Sequence, residues 1–561
     1  MNGNLMIPVI GAADHMVPIL NTIILPTILR PLPFLSAMRS LVPALLSFLP
    51  LVIARSPPFL PKPPKQPPYA FTDPDATGVT ADARAAPTAY FFDQFLDHSN
   101  PSLGTFKQRF WFYDGYYKEG GPIVLFNAGE EDASLYTGYL QNGTITGAMA
   151  YATGGATIVM EHRYWGESIP FANYSTANMR YFTLENAIQD FATFALNVKL
   201  PFKTGTVAKP PPTTAWILNG GSYPGALAAY VKNAFPELFY ASYATSAPVQ
   251  AISDFYSYFL PISAGLPANC SADMKRVISH WDSVMTKGTA ADQKALLSVF
   301  GLQNVTHTVD AASALQIAPW SWQDIEPTAG AGQTIFEFCD TLEVKDGVSA
   351  GPDGQGLDYA LAQWGAWQIQ TNVGECGESY PGDDCYGTFD PNASFYTDID
   401  TSNTYRPWMW LICTQLGFWQ DGDTSASAGS LVSTQVTAAY WERQCPLWFP
   451  EEDGVAVPAS APVNEMNLLF GGWNIKFNPF VDRLLWVNGE FDPWRDPGVA
   501  SQLPQAPKFV STSAQPILVV KTGVHCWDMI TSSALGNPNT AVVFNQVVAQ
   551  ITTWMKEFKA Y

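Results

Sequence analysis

Short runs of apolar residues, bounded by glycine or proline, alternate with amphipathic stretches along much of the chain. Apolar runs of this length are typical of strands buried on both faces of a parallel sheet. The amphipathic stretches have helical spacing, as in Ile188, Phe191 and Phe194, or in Val547 and Ile551. Together they predict a wound α/β sheet with functional groups at the carboxyl ends of its strands. The six predicted strands are residues 122–126, 156–160, 215–218, 240–245, 484–487 and 517–520.

The middle of the chain, residues 252–467, lacks this alternation and is rich in Trp, Gly and Cys. We interpret it as an inserted, mainly helical cap. The α/β core then consists of residues 87–251 and 468–561, on either side of the insertion.

The first 86 residues have a different pattern. Residues 41–53 form a charge-free apolar run after Met38 and Arg39, which predicts a secretory signal peptide over 38–56 and an over-extended N-terminus over 1–37. The run is too short to span a membrane; the alternative is an N-terminal anchor that also uses the Pro-interrupted run at 16–29. Residues 57–68 contain seven prolines, so 57–86 is predicted to be a spacer or propeptide.

Composition narrows the classes of function. With 47% hydrophobic and 14% charged residues among 561, the chain must bury a large core. Its net charge of −20 disfavours binding to nucleic acid or anionic membranes. The acidic balance also suits a protein that works in acid, where its self-repulsion falls.

Cysteines and sequons indicate an oxidising compartment. Six of the seven cysteines lie between 270 and 445, without the paired CxxC spacing of a zinc site, so three disulfides and no metal are expected. Proximity suggests Cys376 with Cys385 and Cys413 with Cys445, which leaves Cys270 with Cys339; Cys526 is left over. Five N-glycosylation sequons agree with secretion: Asn142, Asn173, Asn269, Asn304 and Asn392.

A candidate nucleophile lies where the third predicted strand turns into an Ala-rich helix. Gly220 and Gly221 precede Ser222, and Gly225 follows it within the first turn. Small neighbours let strand and helix approach closely around a strained serine, the geometry of a nucleophile elbow. The helix N-terminus and the Tyr223 amide would stabilise an oxyanion.

Histidine is scarce, which helps to find the base. Of six histidines, only His525 follows a late buried strand, where an α/β enzyme of this class places its base. Asp492 ends the preceding strand and would orient the imidazole, with Glu490 and Asp496 as competing acids. The chain order Ser222, Asp492, His525 therefore predicts a Ser-Asp-His triad.

At these residues, from about Phe91 to Trp554, the chain resembles the prolyl carboxypeptidase and dipeptidyl peptidase II family of serine peptidases (lysosomal Pro-X carboxypeptidase-like), in particular its secreted fungal branch. The resemblance implies an α/β-hydrolase fold with a helical, disulfide-bonded cap, and cleavage after proline, often at acidic pH. Besides the triad motifs, the shared stretches are Phe95-Leu96-Asp97-His98, Phe106-Lys107-Gln108-Arg109-Phe110, Glu161-His162-Arg163-Tyr164-Trp165-Gly166-Glu167-Ser168 and Cys413-Thr414-Gln415-Leu416-Gly417-Phe418.

The resemblance also implies roles for individual residues. Ser222 matches the nucleophile, Asp492 the orienting acid and His525 the base. The chain departs from the family in the loop after the first predicted strand, where glycine and asparagine are shifted, and at Gln415, where glutamate is usual. The remaining matches are Tyr223, Gly129 and Glu130 for the oxyanion hole, and Trp494, Ala226, Phe418 and Met529 for an apolar proline pocket.

The expected function is thus a secreted, cofactor-free serine peptidase that cuts proline-containing peptides or proteins, extracellularly or in an acidic vacuolar or lysosome-like compartment. Three modes stay open: a dipeptidyl aminopeptidase, a carboxypeptidase with Arg163 or Arg495 as its carboxylate site, and an endopeptidase. A lipase or carbohydrate esterase and a catalytically inactive glycoprotein are the alternatives. His162 and Arg163 are expected to be structural, and Cys526 an unreactive thiol.

Overall fold

The computed structural model describes residues 60–71, 87–202, 209–425 and 429–560. The chain divides into two units, Met1–Ile53 and Ala54–Tyr561, and everything described lies in the second. The predicted start at Met38 and the signal peptide over 38–56 therefore lie outside the described residues. Of the predicted spacer, residues 60–71 are described.

An eight-stranded mixed sheet forms the centre of the core. Its spatial order is β1-β2-β4-β3-β5-β6-β7-β8. Strands β1 and β2 pair antiparallel with each other, β2 pairs antiparallel with β4, and all other pairs are parallel. The strands are β1 (Ala89–Phe95), β2 (Thr105–Tyr113), β3 (Ile123–Asn127), β4 (Ala156–Met160), β5 (Trp216–Gly221), β6 (Ala241–Thr245), β7 (Leu484–Gly489) and β8 (Ile517–Val520).

The six predicted strands are confirmed as the six parallel strands β3 to β8. Five of them, β3 to β7, are buried along their whole length, which explains their uninterrupted apolar runs. The sequence interpretation missed β1 and β2. Strand β1 alternates exposed and partly buried positions at the edge of the sheet, and polar Asp93 and Gln94 interrupt its apolar residues.

Helices cover both faces of the sheet. One face packs against α3 and α4, and the other against α1 and the C-terminal helix α19. Both predicted helical stretches are confirmed, in α3 and α19. The core helices are α1 (Ile145–Thr153), α2 (Thr176–Met179), α3 (Leu184–Asn197), α4 (Tyr223–Ala234), α18 (Thr531–Gly536) and α19 (Pro538–Glu557).

A mainly helical cap lies between β6 and β7 in the chain, as the sequence predicts. Among the described residues of the cap, Ile252–Asp254 and Gly417–Trp419 form a two-stranded parallel sheet. The cap helices are α5 (Phe259–Gly265), α6 (Ala268–Lys287), α7 (Ala290–Val299), α8 (Thr308–Ala314), α9 (Ile317–Trp320), α10 (Thr334–Glu343), α11 (Leu357–Cys376), α12 (Asp383–Tyr386), α13 (Ser394–Thr397), α14 (Tyr405–Leu411), α15 (Ala438–Glu442), α16 (Cys445–Trp448) and α17 (Val463–Phe470).

Three disulfides crosslink the cap. They join α6 to α10, α11 to α12, and the turn after α14 to α16. The pairs are Cys270–Cys339, Cys376–Cys385 and Cys413–Cys445, the same pairs that proximity in the sequence suggested. Cys526 is buried and unpaired.

Candidate active site

Ser222 lies at a tight turn between β5 and α4. Its backbone has a φ of 65°, in the left-handed region that a serine rarely adopts. The turn is held by Ser222 N, which donates to Thr245 O at 2.8 Å, and by Ala226 N, which donates to Ser222 O at 3.0 Å. A Cβ added to Gly220 would lie 2.6 Å from the backbone oxygen of Pro224, and one added to Gly221 would lie 2.2 Å from Met529 Sδ, so glycine lets strand and helix approach closely here. The strand-turn-helix geometry expected of a nucleophile elbow is therefore present.

The structure brings His525 to Ser222 and Asp492 to His525. Ser222 Oγ lies 2.7 Å from His525 Nε2, and His525 Nδ1 lies 2.8 Å from Asp492 Oδ1. Asp492 Oδ1 also accepts a hydrogen bond of 2.9 Å from Trp494 N, which fixes the carboxylate. Ser222 and Asp492 are fully buried, and His525 is 6% exposed. The three side chains form one continuous hydrogen-bonded chain, the arrangement of a Ser-His-Asp triad.

The two competing acids point elsewhere. Glu490 accepts a hydrogen bond from Thr522 N at 2.8 Å. Asp496 pairs with Arg495 at 3.4 Å and accepts from Gln502 N at 2.9 Å. Asp492 is therefore the acid of this loop that contacts the imidazole.

The imidazole of His525 is electrostatically coupled to its surroundings. Burial lowers its pKa, but the Asp492 carboxylate and the Cys526 side chain raise it by more, to about 10. These neighbours therefore favour the protonated imidazole in this structure. This shift is opposite in direction to the lowering that a base working in acid would need.

The loop after β3 faces the nucleophile from the other side. The Gly129 amide donates to Asn127 Oδ1 at 3.1 Å, so a neighbouring side chain already uses it. Neither carboxyl oxygen of the buried Glu130 makes a hydrogen bond with a described residue. Burial raises the pKa of Glu130 to about 8, and the charges of Lys65 and His525 offset only part of that rise. Glu130 is therefore largely uncharged at neutral pH.

Trp494 lies in a cluster of aromatic side chains that joins core to cap. Its ring centroid is 5.1 Å from that of Phe255, 5.2 Å from Phe418 and 5.8 Å from Tyr258. Its indole nitrogen donates to Gln323 Oε1 at 2.8 Å. The predicted pocket residues Trp494 and Phe418 are thus brought together, with Phe255 and Tyr258 as additional members that the sequence interpretation missed.

The other two predicted pocket residues lie apart from each other. Ala226 is buried on α4 in the same apolar core as Trp494. Met529 belongs to a separate cluster with Cys526, Phe126 and Tyr139. The structure therefore places Met529 behind the elbow, against Gly221, and does not bring it together with Trp494.

His162 and Arg163 lie in a buried network beside the elbow. Arg163 forms two hydrogen bonds with Asp190, of 2.7 and 2.6 Å, and His162 Nδ1 lies 2.8 Å from Arg163 O. Burial lowers the pKa of His162 to about 4. His162 Nε2 lies 3.2 Å from Tyr223 OH, so this network supports the start of α4 rather than contacting Ser222.

Gln415, the residue that departs from the family pattern, still makes the contacts of a structural side chain. Its Oε1 accepts a hydrogen bond from Leu184 N at 2.7 Å, at the start of α3. Its Nε2 donates to Phe182 O at 3.4 Å. Gln415 therefore links cap to core without reaching the triad.

Residues 60–71 occupy the cleft between core and cap, which the sequence interpretation missed. Ser222 Oγ donates a hydrogen bond to Pro64 O. Gln66 accepts from Gly221 N at 2.9 Å and donates to Asn127 O and Ala128 O, both at 2.9 Å. A cavity of about 800 Å³ beside this segment is lined by Glu131, Tyr136, Gln323, Asp324, His525 and Trp527, among others.

Two further predictions concern N-glycosylation and metal binding. Of the sequon asparagines, Asn142, Asn304 and Asn392 are exposed, whereas Asn173 and Asn269 are half-buried. Within the described ranges, no group of three or more His, Cys, Asp or Glu side chains could hold a metal ion. In the same ranges, no helix has the length and apolarity needed to cross a membrane.

Sheet order, elbow and cap define an α/β-hydrolase with a serine centre. Comparison with known proteins gives the family: the model of serine carboxypeptidase S28 matches residues 93–543. The chain belongs to this S28 family, and it is a serine peptidase.

Relatives from several kingdoms align over most of the chain. Serine protease vicPa of Bipolaris victoriae is 34% identical over 481 residues, covering 83% of this chain and 88% of that protein. The "Probable extracellular serine carboxypeptidase" of Arthroderma benhamiae is 28% identical, covering 75% of this chain and 60% of that protein. The thymus-specific serine protease of Homo sapiens is 26% identical, and the alignment covers 84% of this chain and 88% of that protein.

Among solved structures, the proline iminopeptidase of Mycobacterium smegmatis aligns over 83% of this chain and 99% of that chain, with 10% identity and a TM-score of 0.32.

Proposed function

We propose that this peptidase cleaves peptide bonds on the carboxyl side of proline, with Ser222 as nucleophile, His525 as general base and Asp492 as the acid that orients it. The observation that carries the proposal is the hydrogen-bonded chain of 2.7 and 2.8 Å through these three side chains. Peptides and proteins that contain proline are the proposed substrates.

The proposed reaction is a two-step acyl transfer. Ser222 Oγ attacks the prolyl carbonyl carbon while neutral His525 takes its proton, and His525 then gives that proton to the leaving amine. Water hydrolyses the acyl-enzyme by the same route. The amides of Tyr223 and Glu130 are the proposed oxyanion donors, since the Gly129 amide is bonded to Asn127.

Proline specificity is supported by the aromatic cluster around Trp494. Proline is a compact, uncharged ring, and we propose that Trp494, Phe418 and Phe255, which are buried and pack against one another, form the apolar wall of its site. Tyr258 and Trp494 both bond to Gln323, which satisfies their polar atoms. The cluster is thus apolar inside and hydrogen-bonded at its edge.

Secretion and N-glycosylation belong to the same proposal. Three disulfides suit an oxidising compartment, and three of the five sequon asparagines are exposed. The name of the Arthroderma benhamiae relative describes an extracellular protein. Loss of mass after treatment of the secreted protein with an N-glycosidase tests this part.

The test of the proposed reaction is mass spectrometry of products from a library of proline-containing peptides, at pH 4 and pH 7. We expect cuts after proline by the wild type and none by Ser222→Ala. Blocked and free peptide termini in the library separate the dipeptidyl, carboxypeptidase and endopeptidase modes. Turnover of acyl esters alone would instead identify an esterase, and failure of folded protein to react with a fluorophosphonate would identify an inactive glycoprotein.

A further inference from the structure

Residues 60–64 are held by the cap along their backbone. Tyr405 OH donates to Pro61 O at 2.8 Å, and Gln323 Nε2 donates to Pro63 O at 3.0 Å. The side chain of Gln420 pairs with Lys62 twice: it accepts from Lys62 N at 3.0 Å and donates to Lys62 O at 2.7 Å. Gln323 is the residue that also bonds to Trp494, so this half of the segment is tied to the aromatic cluster.

Residues 66–71 are held by the core. Tyr139 OH donates to Pro67 O at 2.7 Å, and Tyr136 OH donates to Gln66 O at 3.2 Å. Tyr69 exchanges backbone hydrogen bonds with the segment after the oxyanion loop, through Leu135 O at 3.0 Å and Gly138 N at 2.7 Å. The chain therefore crosses the whole cleft and continues on both sides of the nucleophile.

Pro64 lies at the crossing point. It is buried, and its carbonyl oxygen accepts the hydrogen bond from Ser222 Oγ. Ion pairs fix the residues around it: Lys62 pairs with Asp324 on the cap, and Lys65 pairs with Glu131 in the loop after β3. The peptide bond nearest the nucleophile is thus Pro64–Lys65, and Lys65 would be the leaving amine if this bond were cut.

We propose that residues 60–71 fill the substrate cleft as an inhibitory segment, and that the enzyme removes this block by cutting its own Pro64–Lys65 bond with Ser222. This inference rests on the proposed function, because the bond is a prolyl bond of the kind that the enzyme is proposed to cut. The contacts of Glu131 with Lys65 and of Asp324 with Lys62 further assign these acids to the recognition of basic residues on either side of the cut proline.

The chemistry of the cut balances with water as the only co-reactant. Ser222 Oγ bonds to the Pro64 carbonyl carbon, the C–N bond to Lys65 breaks, and the Lys65 nitrogen takes the proton that His525 received from Ser222. Water then releases Pro64 as a carboxylate and restores the Ser222 hydroxyl.

The same contacts explain why the segment inhibits before it is cut. Ser222 Oγ contacts both Pro64 O and His525 Nε2, and its single hydroxyl proton, when donated to Pro64 O, is not available to the imidazole. The raised pKa of His525 further favours an imidazole that cannot accept this proton. Because only the neutral imidazole can accept the serine proton, we expect a slow cut whose rate rises as the pH rises.

The test follows the N-terminus of the full-length secreted protein over time by peptide mapping and intact mass. Wild type is expected to convert to a chain that begins at Lys65, while Ser222→Ala keeps the Pro64–Lys65 bond. Pro64→Ala is expected to slow the cut at least tenfold. Pro68→Ala is the matched control, since Pro68 is exposed and precedes no bond at the nucleophile.

A synthetic peptide with the sequence of residues 60–71 keeps the proposal testable if a variant fails to fold. Processed enzyme is expected to cut it between its fifth and sixth residues, and the uncut peptide is expected to compete with other prolyl substrates. The same peptide with Pro64→Ala is expected neither to be cut at this bond nor to compete with other prolyl substrates. Equal cutting and competition by both peptides would overturn the proposal.

Two failures are distinguishable. If wild type cleaves added prolyl peptides at full rate while its Pro64–Lys65 bond stays intact, or if Ser222→Ala is cut as fast as wild type, the inference is wrong and the proposed function stands. If no form of the enzyme cuts any added peptide after proline, the proposed function itself has failed.

Discussion

The indole nitrogen of Trp494, two residues after the acid of the triad, donates a hydrogen bond of 2.8 Å to Gln323 Oε1 on the cap. The same glutamine donates to Pro63 O at 3.0 Å. One cap side chain thus connects the loop of Asp492 with the backbone of residues 60–71, which lie in the cleft. We therefore expect Gln323 to contribute to substrate binding from the cap.

Gln323→Leu is expected to raise KM for prolyl peptides about tenfold with a smaller change in kcat, because it removes one backbone hydrogen bond and leaves the Trp494 nitrogen unpaired. Steady-state kinetics on the processed enzyme measure both constants. Gln435→Leu is the matched control: Gln435 accepts a hydrogen bond of 3.2 Å from Trp281 elsewhere in the cap. An equal rise in KM in both variants would attribute the effect to general loosening of the cap.

Asp492→Asn is expected to lower kcat by about 10³- to 10⁴-fold, since an amide cannot stabilise the imidazolium or hold its reactive tautomer. Glu490→Gln serves as the control, because Glu490 lies in the same loop but bonds to Thr522 N. Rates on one prolyl peptide, with circular dichroism to verify folding, separate the two. Comparable losses in both variants would contradict the assignment of Asp492.

The triad could be predicted from sequence because each member follows an apolar run that forms a parallel strand, and parallel strands of one sheet end at one edge. The position of residues 60–71 in the cleft could not be predicted from sequence. Gln66 and Gly221 are 155 residues apart, and a proline-rich stretch has no periodicity that reveals a packing partner. Strand β1 was missed because polar Asp93 and Gln94 interrupt a half-exposed edge strand, and β2 because the polar residues 107–109 interrupt its apolar residues. The aromatic partners of Trp494 come from the cap. The cap sequence lacks the alternation of strand and helix patterns seen in the core, so it does not indicate which of its residues reach Trp494.

Removal of individual disulfides is expected to destabilise the cap in the order of the loops they close. The Cys270–Cys339 bond closes a separation of 69 residues and the Cys376–Cys385 bond one of 9. Loop-closure entropy then gives losses of about 4 and about 2.5 kcal/mol for the paired Cys→Ala variants. Urea unfolding of both variants measures the difference. Equal losses would show that local packing, rather than the length of the closed loop, sets the contribution of these bonds.

The buried carboxyl of Glu130 is expected to make stability fall as pH rises. Its pKa is raised from 4.5 to about 8, mainly by burial. Between these values the unfolded chain has released the proton that the folded chain still holds. The free energy of unfolding therefore decreases with pH in this window, by at most about 1.4 kcal/mol per pH unit.

Glu130→Gln removes this pH-dependent contribution to the free energy of unfolding, since the amide side chain does not titrate. We therefore expect urea unfolding between pH 5 and pH 8 to show a shallower decline for Glu130→Gln than for wild type, with the two curves diverging as pH rises from 5 towards 8, because the amide resembles the protonated carboxyl. Glu119→Gln, at an exposed position, is expected to follow the wild-type slope. Parallel slopes for wild type and Glu130→Gln would mean that Glu130 is ionised in the folded protein, and a negative charge would then lie beside the proposed oxyanion site.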